Sequence, residues 1–284
     1  MTASKPLPDS ASAITPQKWD LTLSSPCKIN LFLRIMGERP DGFHELASLF
    51  QSISLRDTIH FSKKSPHGSA PDQDTLECDK QGVPTNDSNL VLKALAKFRE
   101  RTGVEQYFHV RLEKRVPFQA GLGGGSANAA TALWAANVLA DKPCTNKQLA
   151  EFGAEFGSDV SFFLSSGTAY CTGRGEVLED VQPLPQESLF IIKPNEGLST
   201  AEVFKTLKME DCSDRDPRQL LDKMRAGVIS AEYVNDLEVP SFKLLPRLAE
   251  LKEKLKDAGF KNPLIQKQKQ LRPENFGRTK VDLI

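Results

Sequence analysis

The feature that most constrains this chain is a glycine-rich segment that runs directly into an alanine-rich one. Four of the five residues from Gly121 to Gly125 are glycine, and Ser126 then opens a run without proline or glycine. Glycine adopts positive φ and lets backbone N–H groups approach a ligand closely. A helix that begins at about Ser126 presents unpaired N–H donors and the positive end of its dipole. The sequence therefore predicts a phosphate-binding loop at a helix start, formed by Pro117, Phe118, Gln119, Ala120, Gly121, Leu122, Gly123, Gly124, Gly125, Ser126 and Ala127.

Other interpretations of this segment fit its surroundings less well. A flexible linker is disfavoured because the segment stands between a strand pattern and a helix pattern. A Walker A loop would continue with Gly-Lys-Ser or Gly-Lys-Thr. A dinucleotide-binding loop would have an acidic residue at a strand end about 20 residues later. Neither feature is present, and the His-Arg-Asp and Asp-Phe-Gly signatures of protein kinases are absent as well.

Composition limits the partners that this chain can have. Lys+Arg and Asp+Glu each number 37, so the net charge is zero. We expect neither a nucleic-acid nor a membrane partner, because a neutral chain has no bulk attraction for either polyanion and no apolar run approaches the roughly 18 residues of a membrane span. The five cysteines are odd in number, widely spaced and without a Cys-x-x-Cys pair, and the four histidines are scattered. This usage favours a reducing compartment and predicts no resident metal site.

Hydrophobic periodicity predicts a mixture of strands and helices. Alternating apolar residues predict strands over about 21–35, 46–61, 108–112, 168–172 and 188–193, with one short strand near Leu76. Helical spacing predicts helices over about 89–101, 126–139, 146–156, 200–208, 216–226 and 243–258. From residue 261 onward few residues are apolar and no period is sustained. The pattern predicts an α+β fold with two lobes.

Six segments carry a specific resemblance. They are Ser25-Pro-Cys-Lys28-Ile-Asn30-Leu31, Arg39-Pro-Asp-Gly-Phe-His44-Glu-Leu46, residues 117–127, Gly157-Ser-Asp159-Val-Ser-Phe-Phe163, and the pair Ala169–Glu176 and Val234–Glu238. In order and spacing, over about residues 24–259, they resemble the 4-diphosphocytidyl-2-C-methyl-D-erythritol kinase family of the GHMP kinases, and most of all its plant and algal members. The resemblance implies a ribosomal-protein-S5-like N-terminal lobe and a ferredoxin-like C-terminal lobe, with the site between them.

The resemblance also implies a reaction and roles for single residues. ATP, accompanied by Mg²⁺, would phosphorylate the 2-hydroxyl of the family's cytidine diphosphate-linked methylerythritol substrate, a step of isoprenoid precursor biosynthesis. Asp159 would act as the general base, and Lys28 would keep it ionised and stabilise the developing alkoxide. The substrate-binding residues would be Asn30, Phe43, His44, Thr200 and Phe204, with Phe43 standing where many members have tyrosine.

The sequence divides into four expected parts. Residues 1–18 form an unstructured N-terminal segment, 19–185 an ATP-binding domain, 186–259 a substrate domain, and 260–284 an atypical tail. The family's last glycine-rich motif, Ser-Gly-Ser-Gly followed by an apolar strand, is absent after Gly259. We therefore expect an incomplete C-terminal lobe with an unpaired sheet edge, lower stability and weak or absent activity.

Two alternative functions stay open from the sequence. One is a non-catalytic or weakly active nucleotide-binding relic, which the tail favours and the intact Lys28 and Asp159 oppose. The other is a GHMP kinase acting on mevalonate, homoserine or a sugar. We expect a monomer or a weak homodimer. The plant-like motifs indicate the plastid stroma, and otherwise the cytoplasm, although residues 1–18 lack the length and the arginine content of a transit peptide.

Overall fold

A computed structural model describes residues 18–65, 73–118, 120–193, 198–228, 231–264 and 277–283. The strands are β1 (Leu21–Glu38), β2 (His44–Lys63), β3 (Thr75–Cys78), β4 (Phe108–Glu113), β5 (Thr168–Thr172), β6 (Val177–Asp180), β7 (Ser188–Lys193) and β8 (Gly277–Asp282). The helices are α1 (Leu90–Thr102), α2 (Gly124–Leu139), α3 (Asn146–Ala154), α4 (Thr200–Thr206), α5 (Pro217–Ala226), α6 (Glu238–Leu244) and α7 (Arg247–Asp257). The predicted α+β class is confirmed.

The main sheet is organised around the long strand β2. β1 pairs antiparallel with β2 along almost its whole length, with irregularities near Pro26 and Phe32. The other edge of β2 pairs with β5 through residues 48–51 and with β4 through residues 58–63. β3 adds to β4 in parallel, and β6 adds to β5. This arrangement holds the middle of β1 beside the connection that leads into α2, since the N–H of Lys28 donates to the carbonyl of Leu122 at 2.9 Å.

Two apolar clusters stabilise this architecture. One joins α1, α2 and α3 to β4 and to the second half of β2, with Phe61, Phe98 and Phe108 fully buried. The other joins the middle of β1 and β2 to the loop before α2, to α5 and to Leu283 at the end of the described chain. The second cluster contains residues from both predicted lobes, so the two parts share one core. The boundary that we predicted at residues 185 and 186 stays a prediction.

The tail differs from our expectation. We predicted no regular element after residue 260, but β8 pairs antiparallel with β7 over six residues. The strand is then tied to the N-terminal part, because Leu283 bridges Ile53 and the N–H of Asp282 donates to Ser54 Oγ at 2.8 Å. The unpaired sheet edge that we expected is therefore wrong for the edge of β7 to which β8 is hydrogen-bonded. The tail lacks the periodicity of a strand, but β7 offers it backbone partners.

Three further differences concern short or divided elements. β6 was not predicted, because its four residues, Val-Leu-Glu-Asp, show no clear period of two. The predicted helix over 243–258 corresponds to α7, which begins only at Arg247, while residues 243 and 244 end the separate helix α6. The two helices are separate because Leu245 has non-helical backbone and Pro246 lacks the N–H that a continuous helix needs. α2 begins at Gly124, two residues before the predicted start. The predicted N-terminal segment 1–18 lies outside the described residues, except for Lys18.

Candidate active site

The glycine-rich segment forms a tight loop that ends in a helix start without a side-chain cap. Gly121 and Gly123 adopt φ values of 74° and 70°, which other residues adopt at a cost. Gly123 is the N-cap of α2, and no side chain caps this end. The N–H groups of the first turn have no acceptor within the helix. The loop thus presents donors and a positive dipole end to the same space. Gln119 lies outside the described residues.

A buried ammonium and a half-buried carboxylate lie directly beside this loop. Lys28 Nζ is 3.8 Å from Asp159 Oδ2, and their side chains are 6% and 33% exposed. Lys28 Nζ also donates to Asn30 Oδ1 at 2.6 Å. A Cβ placed on Gly123 would lie 3.2 Å from Lys28 Cγ, so the loop backbone contacts the lysine side chain. The structure therefore brings Lys28, Asn30 and Asp159 together at the glycine loop.

The walls of this centre are largely apolar. Lys28 Nζ lies 4.0 Å from the centroid of the Phe50 ring, and Phe50 in turn packs edge-on against Phe162. Burial is the main reason why the pKa of the neighbouring Cys171 thiol is raised to about 12; the Lys28 ammonium opposes this shift, and the Asp159 carboxylate adds to it less strongly. A protonated thiol cannot act as a nucleophile at neutral pH. Cys171 is therefore not a candidate nucleophile, and Lys28 and Asp159 stay the predicted catalytic residues.

The residues predicted to bind the substrate's base lie at the far end of the β1–β2 hairpin. His44 begins β2, six residues from Phe50, which is the β-sheet partner of Asn30. This separation along the strand is at most about 20 Å. The ring of Phe204, on α4, lies 5.2 Å from the His44 ring at an angle of 30°. Phe43 is 53% exposed. Thr200 is the first residue of α4, and its side chain lies outside the described part of the structure.

One turn connects the two ends of the site. The turn between β5 and β6 places the guanidinium of Arg174 4.9 Å from the centroid of the Phe43 ring. The next residue, Gly175, is so close to Asp159 that a Cβ there would lie 4.0 Å from Asp159 Oδ1. Glu45 fixes this turn, because one oxygen accepts from the N–H of Gly173 at 2.9 Å and the other from Arg39 at 2.7 Å. Sequence analysis assigned no role to Arg174 or Glu45.

A second unpredicted group lies behind the loop. Asp57 is fully buried in β2 and pairs with Lys114 Nζ at 2.5 Å. The sequence carries a signal for it. Ile53, Leu55, Ile59 and Phe61 alternate as the buried face of the strand, and Asp57 interrupts that alternation. A charge at an inward position of a strand indicates a specific partner.

Comparison with known proteins agrees with this arrangement. The family model for the GHMP kinases N terminal domain matches residues 89–167. A protein from Oryza sativa subsp. japonica named 4-diphosphocytidyl-2-C-methyl-D-erythritol kinase, chloroplastic, is 52% identical over 238 residues, 83% of this chain and 58% of that protein. The protein of the same name, without the word chloroplastic, from Protochlamydia amoebophila is 44% identical over 247 residues, 87% of this chain and 81% of its own length. The chain belongs to this kinase family.

Solved structures show the same family and fold. A crystal structure of 4-(cytidine 5'-diphospho)-2C-methyl-D-erythritol kinase is 28% identical, has a TM-score of 0.75, and covers 93% of this chain and 90% of that one. The mevalonate kinase of Methanococcus jannaschii has a TM-score of 0.61 at 15% identity, which shows the fold alone. The predicted GHMP kinase fold and the predicted family are confirmed. The chain spans 58% of the rice relative and 62% of the Arabidopsis thaliana relative.

The described residues offer neither a metal-binding cluster nor a membrane-spanning helix. They contain no group of three or more His, Cys, Asp and Glu side chains that could hold a metal ion. Among the helices that the structure describes, none combines the length and the apolar character that crossing a bilayer requires.

Proposed function

We propose that this protein transfers the γ-phosphoryl group of ATP to the 2-hydroxyl of 4-diphosphocytidyl-2-C-methyl-D-erythritol. The observation that carries this proposal is the position of the Lys28–Asp159 pair, 3.8 Å apart and in contact with the glycine loop. Phosphoryl transfer needs an anion cradle, a group that positions the acceptor hydroxyl, and compensation for developing charge. These three requirements meet within a few ångströms here.

Each residue of the centre has a role in this reaction. The loop from Gly121 to Ser126 binds phosphate oxygens through its backbone N–H groups. Asp159 takes the proton of the acceptor hydroxyl. Lys28 keeps Asp159 ionised and stabilises the alkoxide oxygen as it forms. Asn30 holds the Lys28 ammonium in place, since the amide oxygen already accepts from Nζ at 2.6 Å.

A metal ion would be shared between the protein and the nucleotide. The described residues contain no cluster of carboxylates for a dedicated cage. Magnesium commonly binds with few protein ligands and several phosphate oxygens. Ser126 is the protein ligand that we propose, because it lies in the first turn of α2 and its Oγ is 4.0 Å from the position of a Cβ on Gly157, two residues before Asp159. Mg²⁺ would neutralise charge on the transferred group.

The acceptor would lie along the β1–β2 hairpin. Its hydroxyl would meet Asp159, and its cytosine would reach the start of β2, six residues before Phe50. There it would meet His44 and Phe43 from the hairpin and Thr200 and Phe204 from α4. The diphosphate linker gives such a molecule the length to span that separation. The His44 and Phe204 rings now lie 5.2 Å apart, which is less than the space that a sandwiched flat ring requires. Binding of the base would therefore either separate the two rings or stack the base on only one of them.

Partners and compartment follow from the same proposal. The partner is a small molecule, and the oligomeric state, a monomer or a weak homodimer, stays a prediction. Plant relatives at 50–52% identity are named chloroplastic. We infer the plastid stroma as the compartment.

The second candidate, a weakly active nucleotide-binding relic, has one specific observation in its favour. A largely apolar cavity of about 610 Å³ adjoins the site, lined among others by Asn30, Leu122, Leu189 and Phe260. It lies beside the loop where the family's missing last glycine-rich motif would pack. Such a cavity among the described residues would weaken the exclusion of water from which phosphoryl transfer benefits. Turnover below that of the rice relative, with ADP binding retained, would favour this candidate.

The deciding experiment compares the parent with Asp159→Asn and Lys28→Met. We expect ATP-dependent phosphorylation of 4-diphosphocytidyl-2-C-methyl-D-erythritol by the parent and a rate loss of about 10²–10⁴ in Asp159→Asn, with ADP affinity within a factor of a few of the parent. A substrate panel with mevalonate, homoserine and galactose separates the other GHMP kinases. Turnover of one of these in preference to the cytidyl substrate would contradict the proposal, as would an Asp159→Asn variant that is fully active.

A further inference from the structure

Asp57 uses both carboxylate oxygens to join the two segments that flank the glycine loop. Oδ1 accepts from the N–H groups of Arg115 and Val116, each at 2.8 Å. Oδ2 accepts from Lys114 Nζ at 2.5 Å and from Asn128 Nδ2 at 2.9 Å. Residues 114–116 lead into the loop, and Asn128 lies on α2, which leads out of it. One fully buried side chain therefore fixes both ends of the loop.

This network touches the part of the loop that would bind phosphate. A Cβ on Gly124, the first residue of α2, would lie 3.3 Å from Lys114 Nζ and 2.9 Å from Val116 Cγ1. Lys114 Nζ is also 3.4 Å from Asn128 Oδ1, so the ammonium lies beneath the first turn of the helix. A shift of Lys114 or Val116 would move the helix start directly.

The same network reaches the strand that carries Lys28. Asn128 Nδ2 donates to Ser25 Oγ at 2.9 Å, and Ser25 is fully buried on β1, three residues before Lys28. Hydrogen bonds thus connect the glycine loop and the strand that carries Lys28 to one cluster of side chains, formed by Asp57, Lys114, Asn128 and Ser25. We refer to these four residues as the Asp57 cluster.

Stability alone does not account for a cluster of this kind. Replacing a buried ion pair with apolar residues of similar volume is often neutral or stabilising, because desolvation offsets the attraction between the charges. A buried pair that joins a strand, a loop and a helix is instead suited to fixing geometry. Small displacements of positioned groups cost large factors in binding and rate.

We propose that Asp57 is a positioning residue for the nucleotide. It holds Lys114 and the N–H groups of residues 115 and 116 against α2, so that the N–H groups of the glycine loop point to one place. Asp57 itself touches no ligand. The inference rests on the proposed function, because it assigns a task to the loop that binds ATP there.

The test uses Asp57→Asn. The new amide keeps one oxygen for the N–H groups of Arg115 and Val116, but it turns an NH₂ group toward Lys114 and Asn128, which both donate. We expect a lower melting temperature. We also expect ADP affinity to fall about tenfold to a hundredfold, with KM for ATP raised and KM for the acceptor alcohol unchanged. Affinity is measured by calorimetry, well below the melting temperature of the weakest variant.

A second variant separates positioning from loss of folding. In Asp57→Asn with Lys114→Met, no ammonium is left unpaired. The new amide can also donate to Asn128 once the Asn128 side chain flips so that its oxygen faces residue 57. We expect both the melting temperature and the ADP affinity to recover most of the way. Recovery of stability without recovery of affinity would overturn the proposal, because the Lys114 charge itself would then bind the nucleotide.

The matched control is Asp236→Asn. Asp236 is buried like Asp57 and pairs with Arg34 at 2.6 Å, but its strand partner lies six residues beyond Lys28 on β1. We expect a comparable loss of melting temperature with ADP affinity unchanged. An equal loss of affinity in Asp236→Asn, or unchanged affinity in Asp57→Asn, would overturn the proposal. A parent that binds no ADP would instead contradict the proposed function, so the two failures are distinguishable.

Discussion

The glycines of the loop differ in the space around each α-carbon. Gly123 has positive φ and faces the Phe163 ring and Lys28, so any side chain there is strained. Gly124 has helical backbone but lies against Val116, a buried β-branched residue. Gly125 has open space, since the nearest atom to its Cβ position, Leu90 Cδ1, is 3.7 Å away. Gly123 is therefore constrained by its backbone conformation and Gly124 by packing, while the space around Gly125 admits a small side chain.

This difference predicts opposite effects for two neighbouring substitutions. Gly124→Ala places a Cβ 2.9 Å from Val116 Cγ1, and we expect a loss of about 1–2 kcal/mol in the free energy of unfolding. Gly125→Ala makes ordinary contacts and gains helix propensity, so we expect a change between zero and a gain of about 1 kcal/mol. Urea denaturation of both variants measures this. Equal effects at the two positions would show that the helix start packs differently.

Two buried thiols predict how stability depends on alkaline pH. Burial raises the pKa of Cys27 to about 12, with a further contribution from the Asp57 carboxylate, and burial likewise raises the pKa of Cys171 to about 12. In the unfolded chain both thiols ionise near pH 9, while in the native state they stay protonated up to about pH 12. The unfolded state then binds fewer protons, so stability falls as pH rises above 9, by about 1.4 kcal/mol per pH unit for each thiol.

The measurement compares the parent with a variant in which Cys27 and Cys171 are both alanine. Urea midpoints between pH 8.5 and 10.5 give the pH dependence of each protein. Lysines and tyrosines contribute equally to both, so the slope should be shallower in the double variant by the amount that the two thiols supply. Identical slopes would be incompatible with two protonated, buried thiols.

At the scale of elements, the residue that follows β8 ties the tail to the core. Leu283 is 3% exposed and packs in the cluster shared by β1, β2 and α5. Leu283→Ala should lower the free energy of unfolding by about 2–3 kcal/mol, because it removes buried methyl groups and leaves a cavity. Lys280→Ala, at an exposed position of β8 three residues earlier, is the control and should change it by less than about 0.5 kcal/mol. A Leu283→Ala protein as stable as its parent would mean that the tail does not pack here.

At the scale of the whole molecule, a buried ion pair joins the two halves of the chain. Asp236 accepts from Arg34 Nη1 at 2.6 Å and from the N–H groups of Ile35 and Ser213 at 2.7 and 2.9 Å. The backbone pairs as well, because the N–H of Leu33 donates to the carbonyl of Val234 at 2.8 Å. The segment Val234–Glu238 that resembled the family is therefore the link between β1 and the helices around Phe204.

This link predicts that Asp236 contributes strongly to the stability of the fold. Asp236→Asn should lower the free energy of unfolding by about 3–5 kcal/mol, because a buried guanidinium loses its partner. Asp222→Asn, on an exposed pair in α5, should change it by less than about 1 kcal/mol.

The same link predicts a single unfolding transition for the described parts of the chain. Tryptophan fluorescence reports on Trp19 and Trp134 in the N-terminal half, and far-UV circular dichroism reports on all helices. Midpoints that separate would contradict a shared core.

The sequence by itself determined the elements and the loop. Period-two alternation predicted β1, β2, β4, β5 and β7, and helical spacing predicted α1 to α5, because these patterns follow from which residues a single element buries. The glycine run and the family resemblance likewise depend on residues close together in sequence. They indicated the right type of loop and the confirmed family, while the roles of Lys28 and Asp159 stay predictions.

Only the tertiary structure decided which distant residues meet. Lys28 and Asp159 are 131 positions apart, and their separation of 3.8 Å depends on how β1 and the loop after α3 pack. β8 exists because β7 supplies backbone partners to a segment without strand periodicity of its own. Asp57 interrupts a buried face, but its partners Lys114 and Asn128 come from other elements. Contacts between distant residues depend on which apolar surfaces and hydrogen-bonding groups two elements bury against each other. A pattern within one short segment does not contain this information.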